Sequence, residues 1–276
     1  MKEVGDYLKK MPLAAGILAM LIGLGAIKLV HTEGMTAMGF HRIVLAFAMA
    51  AFVYLISGEK AFEKSSFKTM GYTVKMLLAF VIFSIAIGSL PFILYAGMKM
   101  PLYEDWPLNL LATMFFCIGV GLFEELLFRA VLNDMIICQF RKCRHIFLIA
   151  GIISSFIFGY VHVMAEDITN PDLILPIVFK TISTGMMGFA LTILYWKTRN
   201  LIGLALIHCL YDFFPLCSSA VFDGSQGLGS YAASSNGGGT PVIWYVIQII
   251  FEAVLILVLW KKVVKTLDFE KMRQDW

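Results

Sequence analysis

The chain has 276 residues, of which 59% are hydrophobic and 15% charged; soluble globular proteins are nearer half apolar and a quarter charged. The net charge of +3 comes from lysines and arginines in short polar connections, with no basic-aromatic platform, which argues against a nucleic-acid partner. Five cysteines, an odd number lying mostly within or beside apolar stretches, do not make a disulfide framework.

Eight apolar stretches approach the roughly 20 residues that a helix needs to cross a bilayer core. They predict spans over 12–30, 41–57, 76–97, 108–137, 146–165, 174–195, 200–217 and 242–260. The first is long and is followed by further spans, so it reads as a signal anchor and not as a cleaved leader. The fourth is long enough to tilt or to project beyond the lipid. The sixth carries Lys180 near one end, where its side chain can snorkel to the interface. After the seventh, the stretch from Ser218 to Thr240 is rich in Gly and Ser, lacks Lys and Arg, and reads as a flexible outer loop. No internal repeat suggests duplicated halves. The expected fold is an all-α polytopic membrane bundle of about eight transmembrane helices, a single integral membrane domain over 1–276 with the lipid bilayer as its surroundings.

Orientation follows from the basic residues between spans. Seventeen of the 22 Lys and Arg lie in the N-terminal tail, the second-to-third, fourth-to-fifth and sixth-to-seventh connections and the C-terminal tail. The alternate segments hold only Lys28, Arg42 and Lys99, with Lys180 at a span edge. This alternation predicts an even number of spans with both termini in the cytoplasm.

Three spans carry groups that are costly in lipid. The fourth has Glu124, Glu125 and Arg129, the fifth His162, and the seventh His208 and Asp212. A charge at the bilayer centre costs at least about 2.5 kcal/mol, so these residues must pair, face a wet cavity or become neutral. Glu125 and Arg129 are four apart and meet on one helical face, where they neutralise each other. Glu124 is turned about 100° away and is left without a local partner; it is the candidate general base. His208 and Asp212 are also four apart, which lets the carboxylate orient the imidazole. Phe158 shares a face with His162 and sets an aromatic wall beside it. One acid and two imidazoles on three spans point to a common site. Counting 1.5 Å per residue from the cytoplasmic ends puts Glu124 at about 20 Å, His162 at about 25 Å and His208 at only about 12 Å, a mismatch for side chains that are to meet.

These segments resemble the signature of the CPBP family, which comprises the type II CAAX prenyl endopeptidases, their bacterial relatives and bacteriocin-immunity proteins. The family pattern is EExxxR, then FxxxH, then HxxxN or HxxxD. Here it reads EELLFR (Glu124 to Arg129), FGYVH (Phe158 to His162) and HCLYD (His208 to Asp212). The resemblance covers about 105–217, the expected catalytic core, and includes Gly185 and Gly188, small residues that allow close helix packing. It implies an intramembrane endopeptidase in which Glu124 activates water, His162 helps to hold that water, and His208 with the residue at 212 stabilises the oxyanion. Glu125, Arg129 and Phe158 would organise the site. An ionised Asp212 cannot donate a hydrogen bond to an oxyanion, so its preferred role is to orient and charge His208.

Three alternatives stay open. A zinc-dependent form of the same protease would use Glu124, His162 and His208 as ligands, although no HExxH helix is present and the metal-free reading is favoured. A proton-coupled transporter would use the same residues as a relay. A catalytically silent immunity or membrane partner would use none of them. A prenylated CAAX tail, a leader-bearing peptide and a membrane protein are all candidate substrates, and a bacterial plasma membrane is the expected location.

Overall fold

The computed structural model describes residue 8 and residues 10–57, 62, 65–224 and 242–275. These residues form a bundle of helices: α1 (Pro12–Leu29), α2 (Met35–Ser57), α3 (Phe67–Gly97), α4 (Trp106–Glu125), a π-helical segment (Leu126–Asn133), α5 (Asp134–Gln139), α6 (Ile146–Val161), α7 (Pro171–Thr198), α8 (Leu201–Val221), α9 (Val242–Lys262) and a short α10 (Phe269–Asp275). Among the described residues the only β pairing is one isolated bridge, Leu102 to Phe222. The loop expected over 218–240 falls mostly outside the described residues, and its first residues, Ser218–Val221, are instead the last turn of α8.

Among the described residues, seven helical runs are long and apolar enough to cross a membrane, with Trp106–Gln139 counted as one run of 34 residues through the π segment. The protein is an integral membrane protein. The stretch expected to span over 146–165 is a helix of only 16 residues ending at Val161, about 24 Å long against a hydrocarbon core of about 30 Å. The reason lies in the polar run that follows. Asp167 Oδ1 accepts from the backbone N–H of Thr169 at 2.9 Å and from its hydroxyl at 2.6 Å, and Asn170 caps the next helix by accepting from Asp172 N at 3.1 Å. Short polar side chains that satisfy the backbone locally favour turns over helix.

Helix starts also differ from expectation, because capping residues set them. α3 begins at Phe67 and not near 76, since Ser66 and Thr69 form a reciprocal capping box. α7 begins at Pro171, which places Lys180 nine residues inside the helix. Lys180 therefore does not sit at a span edge; its ammonium lies 5.8 Å from the ring centroid of Tyr245 on α9.

α4 runs through the middle of the bundle, packed against α2 on one side and α8 on another, while α3 backs α8 and α6 and α9 flank α7. Phe80, Phe123, Leu127, Leu191 and Leu204 are fully enclosed. Leu21, Phe47, Ile93, Leu111 and Phe156 face outward and are largely exposed, as expected of helices whose outer solvent is lipid. Two close approaches position the site. A Cβ at Gly121 would stand 2.6 Å from the carbonyl oxygen of Ala205, so only glycine lets α4 meet α8 at this distance. A Cβ at Gly188 would stand 2.8 Å from the Phe158 ring, which seats α6 on α7.

The depth mismatch of His208 has a physical source. The turn between α7 and α8 lies beside the start of α3 and beside Asp134, about 8 Å short of the end of α5 at Gln139. Thr198 and Asn200 are buried, Arg199 Nη1 donates to Asp134 Oδ2 at 2.6 Å, and Tyr195 donates its hydroxyl to the same oxygen at 2.8 Å. Asn200 caps α8 by accepting from Gly203 N at 2.9 Å, a bond type worth about 1 kcal/mol. The chain beyond α9 covers the turn, with Lys197 Nζ donating to Thr266 Oγ1 at 3.2 Å and Phe269 packed against Trp196. Counting residues from a common plane therefore underestimates how deep α8 begins.

Candidate active site

Glu124 and Glu125 close α4, and the π-helical turn begins at Leu126. Such turns widen the helix locally and occur often at functional sites. The two carboxylates diverge from there. Glu125 is fully buried and engaged from two directions: its Oε2 forms an ion pair with Arg129 Nε at 3.0 Å, and its Oε1 accepts from His208 Nδ1 at 2.8 Å. Arg129 is equally enclosed. Its Nη2 donates to the Gly188 carbonyl at 3.2 Å, and its guanidinium carbon lies 4.8 Å from the Phe158 ring centroid. One ionic chain thus links α4, α7 and α8 through the floor of the site, with Phe158 of α6 laid over it.

Glu124 faces the other way. Its Oε2 lies 3.6 Å from His162 Nε2 and 3.7 Å from His208 Nε2, and it has no hydrogen-bond partner among the described residues. Asp212 completes the group, with its Oδ2 3.4 Å from His208 Nε2. Exposure divides these residues in two. Glu124, His162 and Asp212 keep 16%, 17% and 31% of their side chains exposed, whereas Glu125, Arg129 and His208 keep 2% or less. The first group can meet a solute; the second can only hold the geometry or present one ring edge to it.

The imidazole roles follow from their partners. His162 Nδ1 lies 2.7 Å from the Phe158 carbonyl oxygen. A carbonyl only accepts, so Nδ1 carries the hydrogen and the neutral ring presents its Nε2 lone pair to Glu124. His208 Nδ1 donates to Glu125, which turns Nε2 toward Glu124 and Asp212. α6 ends here, and the packing of Gly159 on Thr181 sets its last turn near the level of Lys180. α7 rises about 14 Å further to its start, and residues 162–170 cover that rise.

All seven residues singled out from the sequence, Glu124, Glu125, Arg129, Phe158, His162, His208 and Asp212, lie within this one cluster. Sequence spacing did not indicate that Glu125 ties Arg129 to His208, since that bond joins residues 83 positions apart. It also missed a second polar group beside the site. Glu252 of α9 is buried, its Oε1 accepts from the Tyr211 hydroxyl at 3.3 Å, and Gln248 Nε2 donates to that hydroxyl at 2.7 Å. The charge of Glu252 within an apolar span was the available signal. For metal binding, no group of three or more His, Cys, Asp or Glu among the described residues is arranged to hold an ion.

Residues 106–214 match the family model described as type II CAAX prenyl endopeptidase Rce1-like, a match that covers less than half of the chain. No curated protein and no solved structure matches significantly.

Proposed function

We propose, from the match of residues 106–214 to the type II CAAX prenyl endopeptidase Rce1-like family model and from the geometry of the cluster, that the protein is an intramembrane endopeptidase with Glu124, His162, His208 and Asp212 as its catalytic groups. The observation that carries this reading is the position of Glu124 Oε2, a shielded carboxylate oxygen 3.6 and 3.7 Å from two imidazole nitrogens on other helices. These separations are too long for direct hydrogen bonds and suit a water molecule held between the groups.

Glu124 and the Nε2 lone pair of His162 each accept one hydrogen of that water, which aims an oxygen lone pair at the scissile carbonyl. As the oxygen attacks, its proton passes to Glu124. The carbonyl oxygen becomes an oxyanion facing His208 Nε2. That ring is flanked by Glu124, Glu125 and Asp212, carboxylates that favour a doubly protonated imidazole with an Nε2–H to donate. A donor fixed in a low-dielectric site stabilises developing charge strongly. Glu124 then returns its proton to the leaving amine, the C–N bond breaks, and an acid and an amine are released. Asp212 accepts only, so it serves by orienting and charging His208.

Zinc is the rival route to the same products, with Glu124, His162 and His208 as its ligands. The engagement of His208 by Glu125 and Asp212 favours the metal-free route. The substrate would be a membrane-associated peptide: a prenylated C-terminal tail, a leader-bearing peptide or a membrane protein. The chain reads as one integral membrane domain with its catalytic core over 105–217, set in a bacterial plasma membrane with both termini cytoplasmic.

The test is cleavage of a membrane-peptide library by the purified protein, beside ion flux through the same protein in vesicles. The expected result is cleavage that survives a chelator and is abolished by Glu124→Ala. Cleavage lost to the chelator and restored by zinc selects the metal route. Flux without cleavage selects the transporter.

A further inference from the structure

The segments that alternate with the lysine-rich connections hold only Lys28, Arg42 and Lys99 outside the spans' interior. Two of these three converge on one place. Lys28 in the last turn of α1, His31 in the connection, and His41 and Arg42 in the second turn of α2 line a single cavity of about 170 Å³. Ile27 and Met38 supply apolar wall to the same cavity, and no carboxylate lines it. The acid of this connection, Glu33, does not line the cavity; it stands 3.7 Å from His31 Nε2 at the solvent side, where both side chains are almost fully exposed. α2 starts at the lip of the cavity, so the positive end of its dipole adds to the same sign.

We propose that this cavity binds the phosphate headgroup of an anionic phospholipid. Its position favours a lipid over a free anion. On the same two helices, Leu21 and Ile22 of α1 and Val44 and Phe47 of α2 are among the most exposed apolar side chains of the described residues, apolar surface that acyl chains can cover. The mouth lies at the join of two membrane-length helices, where headgroups sit. Its floor also touches α4, the helix that carries Glu124. The Arg42 guanidinium lies 5.8 Å from the ring centroid of Phe123, the residue before Glu124, and the Arg42 side chain packs on Gly119 of the same helix. A headgroup held by Arg42 is thereby anchored to α4.

The measurement is native mass spectrometry of the full-length protein with added phosphatidylglycerol or phosphatidylcholine. One retained phosphatidylglycerol is expected, with phosphatidylcholine retained far less. At about 1 kcal/mol per basic residue, Lys28→Gln weakens retention about fivefold and Lys28→Gln with Arg42→Gln about thirtyfold. Lys99→Gln, at the same end but outside the cavity, leaves retention unchanged. Lys28 is exposed, so its single variant carries the test if the double variant melts early in phosphatidylcholine. Equal retention of the two lipids, an equal loss with Lys99→Gln, or displacement of the lipid by millimolar inorganic phosphate overturns the proposal.

Discussion

Glu124 keeps part of its side chain exposed while Glu125, its neighbour in sequence, is sealed between Arg129 and His208. The two glutamates therefore fail in different ways. Glu124→Gln leaves every described ion pair of the floor intact and is expected to lower turnover about 10²–10⁴-fold, the range for loss of a general base, with an unchanged melting temperature. Glu125→Gln leaves the Arg129 charge buried without its carboxylate, and removal of one partner of a buried pair costs about 3–5 kcal/mol. It is expected to melt early as well as to lose activity. Thermal melting beside cleavage separates the two; a Glu124 variant that is destabilised as strongly as the Glu125 variant contradicts this division. At this scale the sequence is informative only within one helix. Four-residue spacing shows that Glu125 can meet Arg129 and that His208 can meet Asp212. It does not show Glu125 against His208, or His162 Nδ1 held by a carbonyl, because those partners depend on how separate helices dock.

The helices carry these groups into register through a few close contacts. Gly121 is the plainest case. A valine there would drive side-chain atoms into the Ala205 carbonyl, at an overpacking cost of about 1–3 kcal/mol. It would also push α4 away from α8. A displacement of about 1 Å in a catalytic group can cost about 10²-fold, so Gly121→Val is expected to retain membrane insertion and lose most cleavage with Glu124 and His208 both present. Wild-type turnover in this variant would show that the α4–α8 spacing is not what sets the site. Helix identity was legible from apolar run length, since each expected span corresponds to a helix. Helix ends were not. α6 stops at Val161 because Asp167 and Asn170 satisfy backbone groups locally, and α3 starts early because Ser66 and Thr69 cap each other. The π-helical segment after Glu125 has no apolar-pattern signal at all; it interrupts a run that reads as one continuous helix.

For the whole molecule, composition alone indicates a membrane bundle of about eight helices, and among the described residues seven helical runs are long enough to span while α6 is shorter. Counting depth from helix ends fails for a tertiary reason: Arg199 ties the α7–α8 turn to Asp134, short of the end of the α4–α5 run. The lysine and arginine alternation still predicts that the two termini lie on one side. Single reporter tags at either end of the chain, probed in sealed oriented vesicles, should be reached from the same side. Tags reached from opposite sides would mean that α6 and α7 do not together return the chain. The account as a whole depends on Glu124 and His162, carried by different helices, acting on one water molecule. A double-variant cycle reads this directly, by comparing cleavage rates of Glu124→Gln, His162→Ala and the two combined. Groups that serve a single step are strongly non-additive, so the combined variant should be no slower than the worse single variant within about threefold. Losses that multiply would mean that the two residues act independently, and the shared-water site would then be wrong.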